Sequence, residues 1–327
     1  MITGTADPNV QRKLHEILRV ISESKEAIGA RVIADRLNER GYRIGERGVR
    51  YHLRILDERG LTERMGYEGR RLTETGMREL GNALVTDRLG FVSTHIEKLI
   101  YETTFDLASM RGTVVVNLST VDKSDLDRAV EVMRRIAHSD FCESPYLRFI
   151  EEGSEEVSVP PGKISIATIC SITLDGILLK SGIPVLAKYG GLIQMSGGEP
   201  VRFTDLIAYS GTSIDPMKIF LSRKMTSILD VVESGSGRVL GNVREIPSQA
   251  IEDTGAVLKS AQKAGLGLVS KIGEPGEPVL GAPVSAGKVG IAIYAGINMM
   301  AAVEESGIDV KNAPVSMTLQ FKDMKKL

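Results

Sequence analysis

In the stretch GERGVRYHLRILDERG, residues 45–60, arginines recur at Arg47, Arg50 and Arg54 with Tyr51 beside them. At 3.6 residues per turn these four share one stripe of a helix, while Val49, Leu53 and Leu56 share another roughly opposite. After Glu46 the next acids are Asp57 and Glu58, so the two turns between carry only positive charge. Guanidinium groups bond phosphates and guanine edges in two-pronged fashion, so such a face suits a DNA backbone and major groove. A solvated surface helix is the plainer reading of a charge run, and the surrounding elements decide between them.

Two other stretches offer donors to an anion. In AYSGTSIDP, 208–216, the residues Ser210, Gly211, Thr212 and Ser213 run into Asp215-Pro216, an N-cap followed by proline at the first helical position. Backbone N–H groups and hydroxyls then gather at one helix start. The segment CSIT, 170–173, ends a strand and opens a helix with Cys170, Ser171 and Thr173. Its counterpart AGIN, 295–298, puts Gly296 and Asn298 at the same point. Asn117, Asn242 and Arg244, at the ends of β-branched runs, complete the candidate effector set. Ordinary helix capping accounts for any one of these loops as well.

Catalytic patterns are missing. SGSGRVLG, 234–241, leads into a strand instead of following one, and AGK, 286–288, lacks the Ser or Thr after Lys288 that a phosphate loop needs. No Ser-His-Asp order, HExxH or paired carboxylates stand out, so no enzyme is expected. Cys142 and Cys170 are too few for a disulfide framework, and His15, His52, His95 and His138 lack ligand spacing. Neither a metal nor a cofactor is implied. No apolar run reaches the roughly 18 residues that span a bilayer, and MITGTADPNVQRKL has no signal-peptide core. The expectation is a cytoplasmic protein with no membrane partner.

The elements that must position these residues fall into two groups. Residues 1–80 carry 16 Lys and Arg against 13 Asp and Glu, and 14 of the 16 are arginine, within a chain of net charge −1. Val10, Leu14, Ile17, Leu18 and Ile21 mark a first helical face, and Val32, Ile33 and Leu37 a second that stops at Gly41. The helix of 45–60 follows. Then Leu61, Glu63 and Met65 lead into a Gly66–Gly69 turn and on to Arg70, Arg71 and Leu72, which predicts a hairpin with arginines just past its tip. Helix, helix, helix, hairpin is a winged helix-turn-helix, expected over 8–80. It presents Arg47, Arg50, Tyr51 and Arg54 to a major groove and Arg70 and Arg71 to phosphate or minor groove.

The remainder, expected as one regulatory domain over 88–327, repeats itself. An offset of 125 lays 163–185 over 288–310 and GTVVVNLS (112–119) over GRVLGNVR (237–244), and about 15 of 74 aligned positions are identical. At an offset of 129, FVSTHIEKLI (91–100) lies over FLSRKMTSIL (220–229). Two halves, about 91–196 and 220–321, each read as helix, strand, helix, strand, helix, strand. The expected class is α+β: an N-terminal winged helix-turn-helix followed by an internally duplicated, layered αβ regulatory domain with pseudo-twofold halves. A ligand cleft between two similar lobes is the natural consequence.

With this winged helix and the repeated V-x-x-G-K-[IV]-x-I-A segments, the sequence resembles the NrpR family, nitrogen-regulation repressors of methanogenic archaea. GTVVVNLS, AYSGTSIDPMKIFLSRKMTSIL and GNVREIP are its most characteristic stretches, and the likeness covers nearly the whole chain. The resemblance implies a repressor of nitrogen-assimilation and nitrogen-fixation genes that binds palindromic, inverted-repeat operator DNA. It also implies release by the allosteric effector 2-oxoglutarate. Some members carry two regulatory domains where this chain carries one, which makes a second, separately encoded family regulator a candidate partner. One winged helix reads only a few base pairs, so a homodimer or higher homo-oligomer is expected. The rival readings are a winged-helix regulator answering another metabolite, such as an amino acid, and a metabolic enzyme with an appended winged helix.

Overall fold

The apolar stripes of the first eighty residues close on one another. In the computed structural model α1 (Pro8–Ser22), α2 (Ala30–Glu39) and α3 (Glu46–Glu58) bury Leu14, Ile17, Leu18, Ile33, Leu37, Val49, Leu53 and Leu56 in one cluster. The hairpin follows as β1 (Thr62–Arg64) and β2 (Arg70–Leu72), antiparallel, with Glu63 opposite Arg71. Ile28, ahead of α2, bridges to Arg70 on the hairpin's other edge. That approach fixes Gly69: its φ is +122°, and a Cβ there would sit 2.1 Å from the Ile28 carbonyl oxygen. Residues 74–80 form α4 and bring Leu80 into the same core. The structure describes residues 8–24, 26–80, 91–267 and 269–327, and the chain divides into two units, Met1–Leu89 and Gly90–Leu327.

The second unit shows the repeat as structure. Its first half runs α5 (Phe91–Glu102), β3 (Thr113–Asp122), α6 (Leu126–Ala137), β4 (Tyr146–Ile150), β5 (Lys163–Ile169), α7 (Ile172–Lys180) and β6 (Leu186–Ser196). A hairpin strand β7 (Glu199–Ala208) and the short α8 (Pro216–Ser222) intervene. The order then recurs as α9 (Ile228–Ser234), β8 (Gly237–Pro247), α10 (Ile251–Lys263), β9 (Val269–Ile272), β10 (Lys288–Tyr294), α11 (Asn298–Glu305) and β11 (Lys311–Gln320), and β12 (Lys325–Lys326) ends the chain.

Two expectations change here. The leading helix of the second half is broken: α8 ends at Ser222 and α9 begins at Ile228, with Lys224 left-handed at φ +51° between them. Glu305 of α11 accepts the Ile228 and Leu229 N–H groups at 2.9 Å each and so caps the restart. The halves, moreover, are not separate lobes. The sheets run β7-β6-β8-β10-β9 and β11-β3-β5-β4-β12, so each half's last long strand lies in the other half's sheet, β6 beside β8 and β11 beside β3. Helices follow the exchange: Leu174 and Leu178 of α7 cluster with Leu258 and Ala261 of α10, and Met299–Val303 of α11 with Met133 and Ile136 of α6. Hinging the halves apart would break two ladders, which removes the expectation of two lobes closing on a cleft.

Candidate DNA-reading face and effector cavity

On α3 the two stripes separate as the spacing requires. Val49, Leu53 and Leu56 are fully buried, whereas Arg47, Arg50 and Arg54 are exposed and Tyr51 is 58% exposed. Arg50 meets Glu46 at 2.5 Å and Arg54 meets Glu58 at 3.4 Å, both one turn apart on the helix surface. Exposed pairs of this kind contribute about 0–1 kcal/mol, so a phosphate displaces them at little cost. Arg71 is similarly exposed, paired with Glu63 at 3.0 Å. Arg70 departs from the expectation of two outward wing arginines. Neighbouring residues of a strand point to opposite sides, and Arg70 turns onto Asp57 of α3, with Nε 3.1 and 2.9 Å from the two carboxylate oxygens and Nη2 at 2.8 Å. It ties the wing to α3 and so positions the exposed face. Tyr67, at the hairpin tip, is fully exposed and was not singled out by the sequence.

In the regulatory unit several effector candidates converge where the two halves meet. Asn117 and Asn242, Cys170 and Ala295, and Ser171 and Gly296, each pair one repeat apart, line a cavity of about 10 Å³. That is room for one water at most. Tyr209 Oη donates to Asn242 Oδ1 at 2.6 Å, and Asn242 Nδ2 donates to Ser171 Oγ at 3.4 Å. Asn117 Oδ1 accepts the Val315 N–H at 3.0 Å, and its Nδ2, buried, has no partner among the described residues. Gly296 is glycine because the chains touch: a Cβ would lie 1.9 Å from the Ile169 carbonyl oxygen.

Behind Ser171 lies a buried ion pair. Arg244 Nε donates to both Asp175 oxygens, at 2.9 and 3.2 Å, and Nη2 to Ser171 Oγ at 3.2 Å, with both charged residues fully buried. Burial pushes the Asp175 carboxyl up while Arg244 pulls it back. Burial also opposes the Arg244 charge, yet Asp175 overcomes it and raises the guanidinium above its usual range. One guanidinium N–H is thus shared between the two carboxylate oxygens, while a second goes to Ser171. Nη1 of Arg244 has no partner among the described residues.

The remaining candidates do other work. Thr173 Oγ1 binds the Val115 N–H at 2.9 Å and carbonyl at 3.1 Å, and Asn298, its repeat partner, binds the Leu240 N–H at 2.8 Å and carbonyl at 2.9 Å. Both are backbone clamps, and neither lines the inner cavity. The Ser210–Ser213 loop stands apart from the cavity. Asp215 itself caps α8 through Met217 N–H at 2.8 Å, which fills the helix start expected to receive an anion. Thr212 Oγ1 is spent on Ile214, Ser210 and Gly211 are exposed, and Ser213 borders a second, open cavity of about 260 Å³. Tyr209, Met217 and Val315 also wall the inner cavity; the first two lie in the quoted stretch AYSGTSIDPMKIFLSRKMTSIL without being chosen as site residues, and Val315 lies in no quoted stretch. Asp175 did leave a signal: it is an acid within the otherwise apolar run ITLDGILL, opposite Met300 in the repeat.

Neither cysteine is poised as a nucleophile, since burial pushes both thiols to about 12. Among the described residues no group of three or more His, Cys, Asp or Glu is placed to hold a metal, and no helix is long and apolar enough to cross a membrane.

Comparison with known proteins places this architecture. Residues 89–326 match the model of NrpR regulatory domains NRD1 and 2, and residues 15–80 match the ribonuclease R winged-helix domain. The chain belongs to the NrpR family. It is 53% identical over 321 residues to the global nitrogen regulator NrpRI of Methanosarcina mazei, covering 98% of this chain and 99% of that one. It is 33% identical to the global nitrogen regulator NrpR of Methanococcus maripaludis over 95% of this chain. It spans only 54% of that longer protein. A crystal structure of a nitrogen repressor-like protein from Methanococcus jannaschii, 27% identical, superposes with a TM-score of 0.62 over 72% of this chain and 97% of that one. The α+β class, with a winged helix ahead of an NrpR regulatory domain, therefore holds.

Proposed function

We propose that this NrpR-family chain is a transcriptional repressor of nitrogen-assimilation and nitrogen-fixation genes, bound as a homodimer to palindromic operator DNA and released by 2-oxoglutarate. The observation that carries DNA binding is the exposed Arg47, Arg50, Tyr51 and Arg54 face on a helix whose opposite stripe is wholly buried. Arg71 extends that face onto the wing. Relatives named global nitrogen regulators support the target class. A dimer places two such faces on half-sites about 34 Å or a multiple apart, and a second family regulator is a further candidate partner.

The effector reading rests on chemistry at the inner cavity. The unpartnered N–H donor of Asn117 on its wall, and the hydroxyl of Ser171, to which Arg244 donates from behind, are what a carboxylate answers. The donor set fits a dicarboxylate and the closed cavity does not, so binding requires opening. A ligand shifts an equilibrium only by its difference in affinity between two states, and coupling of about 1–3 kcal/mol would lower operator affinity about 5- to 150-fold. By reciprocity operator DNA weakens 2-oxoglutarate binding by the same factor. Titration calorimetry on free protein and operator complex tests this. Equal affinity in both removes 2-oxoglutarate as the releasing signal, while loss of operator binding in Arg50→Ala and Arg54→Ala tests the DNA face separately.

A further inference from the structure

Val315 has a backbone that β-branched residues avoid. Its φ is +49°, in the left-handed region, at a point where the β11–β3 register shifts between Ala313 and Met317. Such a residue persists only where its surroundings hold it. Here two side chains do so: Asn117 Oδ1 accepts its N–H at 3.0 Å, and His95 Nε2 of α5 donates to its carbonyl at 2.8 Å. Among the described residues Val315 is also the one common to the walls of both cavities, the closed one of about 10 Å³ and the open one of about 260 Å³.

We propose that the Val315 bulge is a strained gate between the two cavities. Turning the Val315 backbone to an extended conformation releases Asn117 from its N–H and His95 from its carbonyl, relieves the left-handed φ, and joins the cavities into one chamber of a size that takes a small dicarboxylate. Asn117 through its unpartnered Nδ2 and Ser171 through its hydroxyl donate to one carboxylate, while Lys218 and Ser213 on the outer wall donate to the other. Asp215, whose Oδ1 accepts the Met217 N–H, is the acid on that outer wall and selects against a ligand that crowds it. The strain makes opening less costly, so the closed state is held by its latches and not by the conformational preference of the chain. That 2-oxoglutarate is the ligand holding the gate open rests on the effector reading above; the gate itself does not.

Cys170 lines the inner cavity and is buried, so its reaction with methyl methanethiosulfonate reports opening without any effector. Cys142, buried elsewhere, reports opening of the whole fold and serves as the internal control. Val315→Gly removes the strain from the closed state and should slow Cys170 labelling by about 5- to 150-fold, the equilibrium equivalent of such strain, with Val315→Ala between. His95→Ala removes a latch and should speed labelling by about 2- to 10-fold. Opposite changes at Cys170 with Cys142 unchanged are the expected result. Identical Cys170 rates across the series, or Cys170 and Cys142 moving together, overturn the gate; the Val315 series alone decides it if His95→Ala does not fold. Calorimetry with 2-oxoglutarate should give weaker binding in Val315→Gly and Lys218→Ala, the latter with normal labelling. If the labelling pattern holds and the wild-type protein gives no heat with 2-oxoglutarate, the effector reading fails and the gate stands.

Discussion

The two halves of the regulatory unit do the same structural job with different chemistry, and the differences lie at the inner cavity and just behind its walls. At one repeat position Thr173 clamps the Val115 backbone through one hydroxyl, and at the other Asn298 clamps Leu240 through an amide. The scaffold needs a side chain that both donates and accepts there, and either type supplies it. Arg244 and Asp175 have no such equivalence: their repeat partners are Ser119 and Met300, so the buried charge pair exists once. The two asparagines also diverge, Asn242 held by Tyr209 and Asn117 by the strained Val315. The strand exchange is thus common to both halves, while the charge pair behind Ser171 and the strained latch at Asn117 each occur once.

The largest effect should come from breaking the unrepeated pair. Arg244→Ala leaves the Asp175 carboxylate buried and alone, and urea unfolding should show a loss of about 3–5 kcal/mol. Restoring the repeat's own solution, Arg244→Ser with Asp175→Met, should recover much of it. A double variant as unstable as Arg244→Ala would mean the halves differ by more than these side chains.

Asp215 belongs to the α8 insertion between the halves and gives the next effect, read by pH. Burial pushes its carboxyl from the usual 3.8 to about 6. Because the folded value is raised, the stability it contributes is fully present below pH 4 and is lost as pH rises through about 6. Relative to Asp215→Asn, which keeps a good cap, the wild-type protein should lose up to about 3 kcal/mol across that window and show no further trend above it. A flat difference between the two proteins from pH 4 to 7 would mean the carboxyl is solvated.

Asn298→Ala should cost about 1–3 kcal/mol, because the Leu240 N–H is left buried without its partner while the carbonyl keeps the Ala295 N–H, and Thr173→Ala should fall in the same range at the Val115 N–H, whose carbonyl keeps the Cys170 N–H. Similar losses in thermal unfolding would uphold the equivalence of the two clamps, and a loss at only one would confine the role to that half. The smallest effect is reserved for Thr173→Ser, which keeps the hydroxyl, loses one buried methyl group and should cost about 1 kcal/mol.

Much of this was legible beforehand because it is local. The 3.6-residue stripe of α3 dictates both its buried and its cationic faces, and the glycine turn between Met65 and Arg70 dictates a hairpin. The repeat at 125 residues dictated two copies of one element order. It also brought Asn117, Asn242, Ser171 and Gly296 together as candidates, since equivalent positions in a pseudo-twofold pair meet at the axis.

What the tertiary structure alone decided concerns partners far apart in the chain. A repeat states that two strands are alike, not which copy of the neighbouring strand each one joins, so the exchange of β6 and β11 could not be read from it. The same limit hid the pairing of Asp175 with Arg244, 69 residues away. Arg70 and Arg71 have identical side chains, and only the pleat of β2 against α3 sends one to Asp57 and the other outward. The left-handed φ of Val315 has no signature in its residue type, because β-branched chains disfavour it. It exists only because Asn117 and His95, 198 and 220 residues distant, hold its N–H and its carbonyl, one on each of the two peptide units that flank its Cα.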